Sequence, residues 1–174
     1  KEFKYIGNKY VKVSWRTEYA GLFEYKNEET GIVYYFVDNE KYFKRDGFYG
    51  YDDDGERFAF FSRAVLELLP IMDFYPDIIH ANDWHTAMIP LYIKANYKYD
   101  DFWKDTKNVF EIHNLAYQGI WFEDILDFAN MRKDIVYNEW GCEHYGRVNW
   151  MKGAINYADK VLVVSPKYAE EILG

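Results

Sequence analysis

Cysteine occurs once in 174 residues, at Cys142. That excludes a disulfide framework within the chain and a zinc site built on paired cysteines. Basic charge is short as well: 21 Lys and Arg against 29 Asp and Glu leave a net charge of -8. Nucleic-acid backbones require a basic face, so this balance excludes a general nucleic-acid or polyanion binder, though not a local basic pocket. No apolar run approaches the ~20 residues that cross a bilayer, so no membrane partnership through a spanning helix is expected. The Gly-x-Gly-x-x-Gly loop of a dinucleotide site is missing. So is the Gly-x-Ser-x-Gly elbow of a serine hydrolase: Ser165 lacks the flanking glycines and Pro166 follows it.

What is present is a composition that can build a core, with 49% apolar residues. Aromatic residues reach 21%, with 18 Tyr, 13 Phe and 6 Trp. Such rings stack on sugar faces and on bases while their polar tips stay wet. Core packing and a compositional bias account for most of them.

The first 50 residues read as strands. Residues 9–15 alternate around Tyr10, Val11, Val13 and Trp15; residues 19–25 and 32–37 follow, the last pair separated by a polar turn from Asn27 to Gly31. β-branched and aromatic residues bounded by turn chemistry predict a hairpin. After Gly55 the period changes. Phe58, Phe61, Val65, Leu68 and Leu69 predict an amphipathic helix, with Arg57, Arg63 and Glu67 elsewhere on its circumference. The run Asp52, Asp53 and Asp54 stands at its start, where it complements the helix dipole; it lacks the spacing and closing Glu of a calcium loop.

From Pro76 onward strands and helices alternate. Apolar strands are predicted at 77–80, 108–113 and 161–164, with helices at 84–95, 147–158 and 167–173. Pro90 should kink the first of these helices or displace its start. Near-continuous apolar strands separated by helices imply a parallel sheet with helices on both faces. No linker is visible, so residues 1–174 read as one α/β domain with a hairpin-rich N-terminal part.

Ligands of such sheets bind beyond the carboxyl ends of the strands. Polar residues accumulate there: His80, Asn82, Asp83 and His85 after the first strand, His113, Asn114 and Gln118 after the second, Ser165 after the third. A polar small molecule is the expected ligand. Each residue also has a plain structural reading. Asp83 and Ser165 can be N-caps, His113 a hydrogen-bonded structural histidine, Trp84 core, His85 surface, and Gln118 with Gly119 a turn. His80, Asp83 and His85 have the ligand chemistry of a metal-dependent hydrolase, but no second cluster completes a two-metal site.

These residues sit in longer stretches that carry a resemblance. HANDWH at 80–85, FEIHNLAYQG at 110–119, ADKVLVVSPKYAEEI at 158–172, KRDGFYGYDDDGERFAFFSRAVLE at 44–67 and YFVDNEKYF at 35–43 resemble bacterial glycogen synthases and plant starch synthases. The likeness runs from about Val11 to the end. It implies part of the N-terminal, acceptor-side domain of a GT-B glycosyltransferase, with a Rossmann-like parallel sheet and helices on both faces. The family transfers glucose from ADP-glucose to the non-reducing end of an α-1,4-glucan with retention, without metal or cofactor. The partners implied are the nucleotide-sugar donor, a glucan or maltooligosaccharide acceptor, and a nucleotide-binding C-terminal domain expected after Gly174. The family's first strand and Lys-x-Gly-Gly-Leu loop are expected before Lys1, and the location implied is the cytoplasm, or the plastid in a plant.

Residue by residue, His113 matches the histidine beside the donor glucose and Asp83 the aspartate lining the cleft; these are the catalytic candidates. Tyr49 matches a tyrosine near the substrate, with Tyr51 close enough to compete for the match. Asn114 and Gln118 are the neighbouring candidates for substrate binding. Glu111 departs from the pattern, which has a small hydroxyl residue there. It lies two positions before His113, on the same side of the strand, and a carboxylate there must be paired, solvated or neutral. The chain on its own, as half of a cleft, is expected to be inactive. A carbohydrate-binding module without catalysis is the alternative from another class.

Overall fold

The computed structural model describes residues 2–173; the expected boundaries at Lys1 and Gly174 lie outside them. Strands β1 (Lys4–Val13), β2 (Arg16–Lys26) and β3 (Val33–Asp38) form an antiparallel meander in that order. Alternation buries Val11 and Val13 on β1, and on β2 Ala20, Gly21 and Leu22 are all buried. The outer face carries aromatic cross-strand contacts, including Tyr10 with Tyr19 at 6.1 Å and Phe3 with Phe36 at 5.3 Å between ring centroids. The β1–β2 turn falls at Ser14, with φ 51, so Trp15 belongs to a turn and not to the strand its apolar character suggested. At the second turn the Asn27 side chain accepts from the N–H groups of Glu29 and Thr30, and Gly31 takes φ 71.

The short helix α1 (Glu40–Phe43) is capped by Asn39, whose side chain accepts from Tyr42 N at 2.9 Å. Helix α2 (Asp54–Leu68) follows a loop. The parallel sheet contains β4 (Ile78–Asn82) and β5 (Lys107–Ile112), joined through a single 3₁₀ turn (Trp84–Thr86) and α3 (Met88–Ala95). Pro90 is the third residue of α3, within the first turn, where its missing N–H breaks no helical bond. It displaces the start of the helix, the second of the two outcomes expected.

Between β5 and the third parallel strand the chain forms β6 (Ile120–Trp121), α4 (Ile125–Phe128), α5 (Lys133–Val136), β7 (Glu143–His144) and β8 (Arg147–Asn149). The antiparallel sheet β6-β8-β7 has no counterpart in the sequence reading. Residues 147–149 were expected as helix; they are strand, because they pair with partners at 120–121 and 143–144. Helix α6 (Trp150–Tyr157) starts only where the Asn149 side chain accepts from Lys152 N. Then β9 (Lys160–Val163) pairs with β5, and α7 (Pro166–Leu173) ends the described chain. The sheet order β4-β5-β9, all parallel, is the α/β arrangement expected.

Helix α2 contradicts its expected polarity. Of the expected stripe Leu68 is fully buried but Phe58, Phe61, Val65 and Leu69 are only half-buried, whereas Phe60, Ala64 and Leu66, outside it, are fully buried and Arg57 is 2% exposed. The helix is wedged among the meander, α3 and α4, so nearly its whole circumference is interior and periodicity could not pick one face. Buried Arg57 is compensated on every side. It donates to Tyr42 O and Phe48 O and pairs with Asp54, itself 5% exposed. Asp54 therefore serves this pair, and no side-chain cap bond is made at Asp53.

Removing one partner of a buried ion pair leaves an unpaired charge, which costs about 3–5 kcal/mol. Arg57→Ala should lower the urea midpoint accordingly. Arg45→Ala breaks a more exposed pair with Asp53 and should lower it far less. Comparable shifts for the two variants would contradict the organising role assigned to Arg57.

Candidate functional site

Parallel register brings the strand ends to one edge. Asn82 lies opposite Glu111 and Ile112 opposite Val163, so Asp83, His113 and Ser165 follow their strands on the same side. Asp83 has φ 58 and ψ 178, a region that residues other than glycine occupy at a cost of about 1–3 kcal/mol. Three contacts hold it there. Its N–H donates to Glu111 O at 2.9 Å, its Oδ1 accepts from His113 N at 2.9 Å, and its Oδ2 lies 3.1 Å from His113 Nδ1. The N-cap reading of Asp83 is thus replaced: no side-chain cap bond forms, and the carboxylate binds His113 instead. Ser165 does cap α7, accepting from Tyr168 N at 3.1 Å.

Asp83 lines a cavity of 450 Å³ with Tyr49, Gly50, Asp54, Trp84, His85, Asn114 and Tyr117. A second chamber of 590 Å³ shares Tyr49 and His85 with it. Its walls are largely apolar, from Phe43, Phe48, Phe58 and Phe61, with Arg45 and Arg57 alongside. Tyr49 is 68% exposed and its ring stands 5.7 Å from that of His85. Its loop is held by Asp54 Oδ2, which accepts from Gly50 N and Tyr51 N, and by Arg57 through Phe48 O. Tyr51 is occupied elsewhere, its ring between the guanidinium groups of Arg45 and Arg57 and its hydroxyl accepting from Gly47 N. Of the two competing tyrosines, Tyr49 is the one that faces the cavities.

Asn114 reaches the 450 Å³ cavity while its Oδ1 accepts from Ala116 N. Gln118 is not brought to it. Its amide donates to Leu115 O and accepts from Asn149, and it lines a separate 400 Å³ cavity beside Trp140 and Lys152. His80 turns to Glu111, with Nε2 3.0 Å from Oε2. Among the described residues no three His, Cys, Asp or Glu side chains gather as metal ligands, so His80, Asp83 and His85 do not form the triad that a hydrolase would use.

His85, read from sequence as a surface residue, is half-buried at the junction of both chambers. Its ring packs against Phe58 and Trp84 at 4.6 and 4.4 Å. Burial lowers its pKa from the ordinary 6.5, more than Asp83 and Asp54 raise it. A position next to Trp84 in a single turn carries no periodic signal, which is why sequence missed it. Asp54 and Tyr117 were missed for the same kind of reason.

Two outcomes follow from this geometry. Gly119 has φ 67, and a Cβ there would lie 2.6 Å from Trp84 Cε3. Gly119→Ala should cost at least about 1–2 kcal/mol from the backbone alone, read as a lower urea midpoint, and should perturb the ring signals of His85. The second concerns pH. Folded His85 resists protonation, so below 6.5 the unfolded chain binds more protons there. Its contribution is complete above that value and shrinks as pH falls through and below it. Urea midpoints measured from about pH 7.5 to about pH 5.5 should fall on acidification, with a shallower slope in His85→Phe. An unchanged slope would contradict a buried, neutral His85.

Comparison with known proteins places the chain. The family model described as starch synthase catalytic domain matches residues 1–174. The glycogen synthase of Alkaliphilus metalliredigens is 49% identical over 173 residues, 98% of this chain and 36% of the relative. That of Desulforamulus reducens is 49% identical over 162 residues, 93% of this chain and 33% of the relative. The catalytic domain of starch synthase IV from Arabidopsis thaliana, bound there to ADP and acarbose, superposes with a TM-score of 0.90 at 29% identity, over 100% of this chain and 36% of that one. The chain thus spans about a third of the length of these relatives. It belongs to the starch synthase catalytic domain family.

Proposed function

We propose that this chain is part of the N-terminal, acceptor-side domain of a two-domain retaining glucosyltransferase. The enzyme moves glucose from ADP-glucose to the non-reducing end of an α-1,4-glucan, and a second, nucleotide-binding domain completes it. The observation that carries this reading is the Asp83–His113 pair, whose aspartate lines one of two adjoining cavities. The ADP and acarbose bound to the Arabidopsis starch synthase support a nucleotide-sugar donor and an α-glucan acceptor for the same fold.

In this reading His113 contacts the donor glucose and Asp83 fixes the backbone and ring that present it. Preorganised polar groups of this kind stabilise a charged, oxocarbenium-like centre without reorganising as it forms. Exposed Tyr49 and Tyr117 offer ring faces to sugar rings of the acceptor, and Asn114 has its amide N–H groups available to hydroxyls. The apolar chamber behind Tyr49 accommodates the less polar face of a glucan chain. Positive charge for the leaving diphosphate, and the choice between ADP-glucose and UDP-glucose, belong to the nucleotide-binding half. No cofactor is required.

In the complete synthase, His113→Ala should reduce transfer about 10²–10³-fold with little change in thermal unfolding. Near wild-type transfer, or loss by unfolding alone, would overturn the role. The 174-residue chain alone should incorporate no labelled glucose from ADP-glucose into a glucan primer, because a donor left unclamped forgoes positioning worth about 7–11 kcal/mol. Primer-dependent incorporation abolished by Asp83→Ala would show the chain to be a complete catalyst. Glucan binding by the complete protein with no transfer would favour a carbohydrate-binding module.

A further inference from the structure

Glu111 is the residue that the family resemblance does not explain. It points to the same face of β5 as His113, two residues on. Its two oxygens are in different situations. Oε2 lies 3.0 Å from His80 Nε2, while Oε1 lies 3.9 Å from His113 Nε2. On the other side of the histidine ring, Nδ1 is 3.1 Å from Asp83 Oδ2. The result is a line of four side chains, His80, Glu111, His113 and Asp83, with contacts at both ends and a gap in the middle.

The gap carries the inference. A separation of 3.9 Å is too long for a hydrogen bond between Glu111 and His113. Both facing atoms therefore keep their hydrogen-bonding capacity, and both side chains are reachable, at 22% and 45% exposure. Each is oriented from behind, Glu111 by His80 and His113 by Asp83. Two oriented polar atoms at this spacing suit two neighbouring hydroxyls of one ring, each meeting one atom. Neither residue lines the two chambers, but Asp83 touches His113 and lines the 450 Å³ cavity. The pair thus adjoins the groove without being part of it.

We propose that Glu111 Oε1 and His113 Nε2 form a binding site for a pair of adjacent hydroxyls on the transferred hexose, with Glu111 a specificity-determining residue and His80 its positioning partner. The identity of the sugar as the donor glucose rests on the proposed transferase function; the diol site itself rests on the geometry.

The test measures kcat/KM of the complete synthase with ADP-glucose and with donors lacking one hydroxyl each. Wild type, Glu111→Ala and the isosteric Glu111→Gln are compared. A hydrogen bond to a charged group is worth about 10- to 100-fold, and a site built around a hydroxyl rejects the analogue lacking it. Glu111→Ala should lose about that factor on ADP-glucose and nothing further on one particular deoxy donor. Discrimination then collapses at one position and persists at the others. Glu111→Gln, which keeps the shape and an acceptor, should retain part of it. Equal losses on every donor, or unchanged discrimination in both variants, would overturn the proposal while leaving the transferase reading intact. If the complete protein transfers no glucose, the readout is NMR of the His80 and His113 rings during titration with methyl α-D-glucoside. Shifts in wild type that vanish in Glu111→Ala would uphold the diol site although the transferase reading had failed, and no shift in wild type would overturn both.

Discussion

The buried pair of Arg57 and Asp54 is the constraint on which much of the molecule turns. A guanidinium 2% exposed is tolerable only with its donors satisfied and its charge matched. Satisfying it draws in Tyr42 O from α1, Phe48 O from the following loop and the carboxylate at the start of α2. That carboxylate in turn accepts from Gly50 N and Tyr51 N. Through these bonds a loop with no regular structure takes one shape, and that shape turns Tyr49 toward the cavities. The two charges line the cavities as well, Asp54 the one that Asp83 lines and Arg57 the other. One structural pair therefore shapes the loop beside both cavities and places charge in their walls.

At the opposite wall the organising residue is Asp83. Its backbone is held in a costly conformation by bonds to β5 and to the residue that follows it. Strain of this kind persists where surrounding structure over-determines it, and it concentrates where side chains must be aimed. Here it sends the Asp83 carboxylate to His113, and leaves the 3₁₀ turn after it to seat Trp84 and His85 against Phe58. Gly119 closes the arrangement from the other strand end, since only a residue without Cβ fits against the Trp84 ring at that φ. Tyr168 of α7 accepts from Leu115 N, so the third strand's helix also anchors the loop between His113 and Gly119.

The hairpin around the 27–31 turn and the parallel strands are legible in the sequence, because period-two alternation and short apolar runs report local burial directly. So is the edge of the sheet where Asp83, His113 and Ser165 gather, since parallel order alone sends successive strand ends to one side. Chain position and residue type also place Asp83 and His113 at that edge, and the family resemblance makes them catalytic candidates and marks Glu111 as a carboxylate needing a partner. Tertiary structure decided the rest. It made Arg57 interior by surrounding α2, turned residues 147–149 into a strand by pairing them with distant partners, and drew Gln118 into bracing Leu115 and Asn149. It chose Tyr49 over Tyr51, moved His85 from surface to cavity wall, and supplied His80 as the partner of Glu111. Sequence patterns encode what a residue does with its neighbours one turn or one strand step away. Which of two similar side chains faces a cavity depends on contacts between segments tens of residues apart, and those are set only when the chain packs.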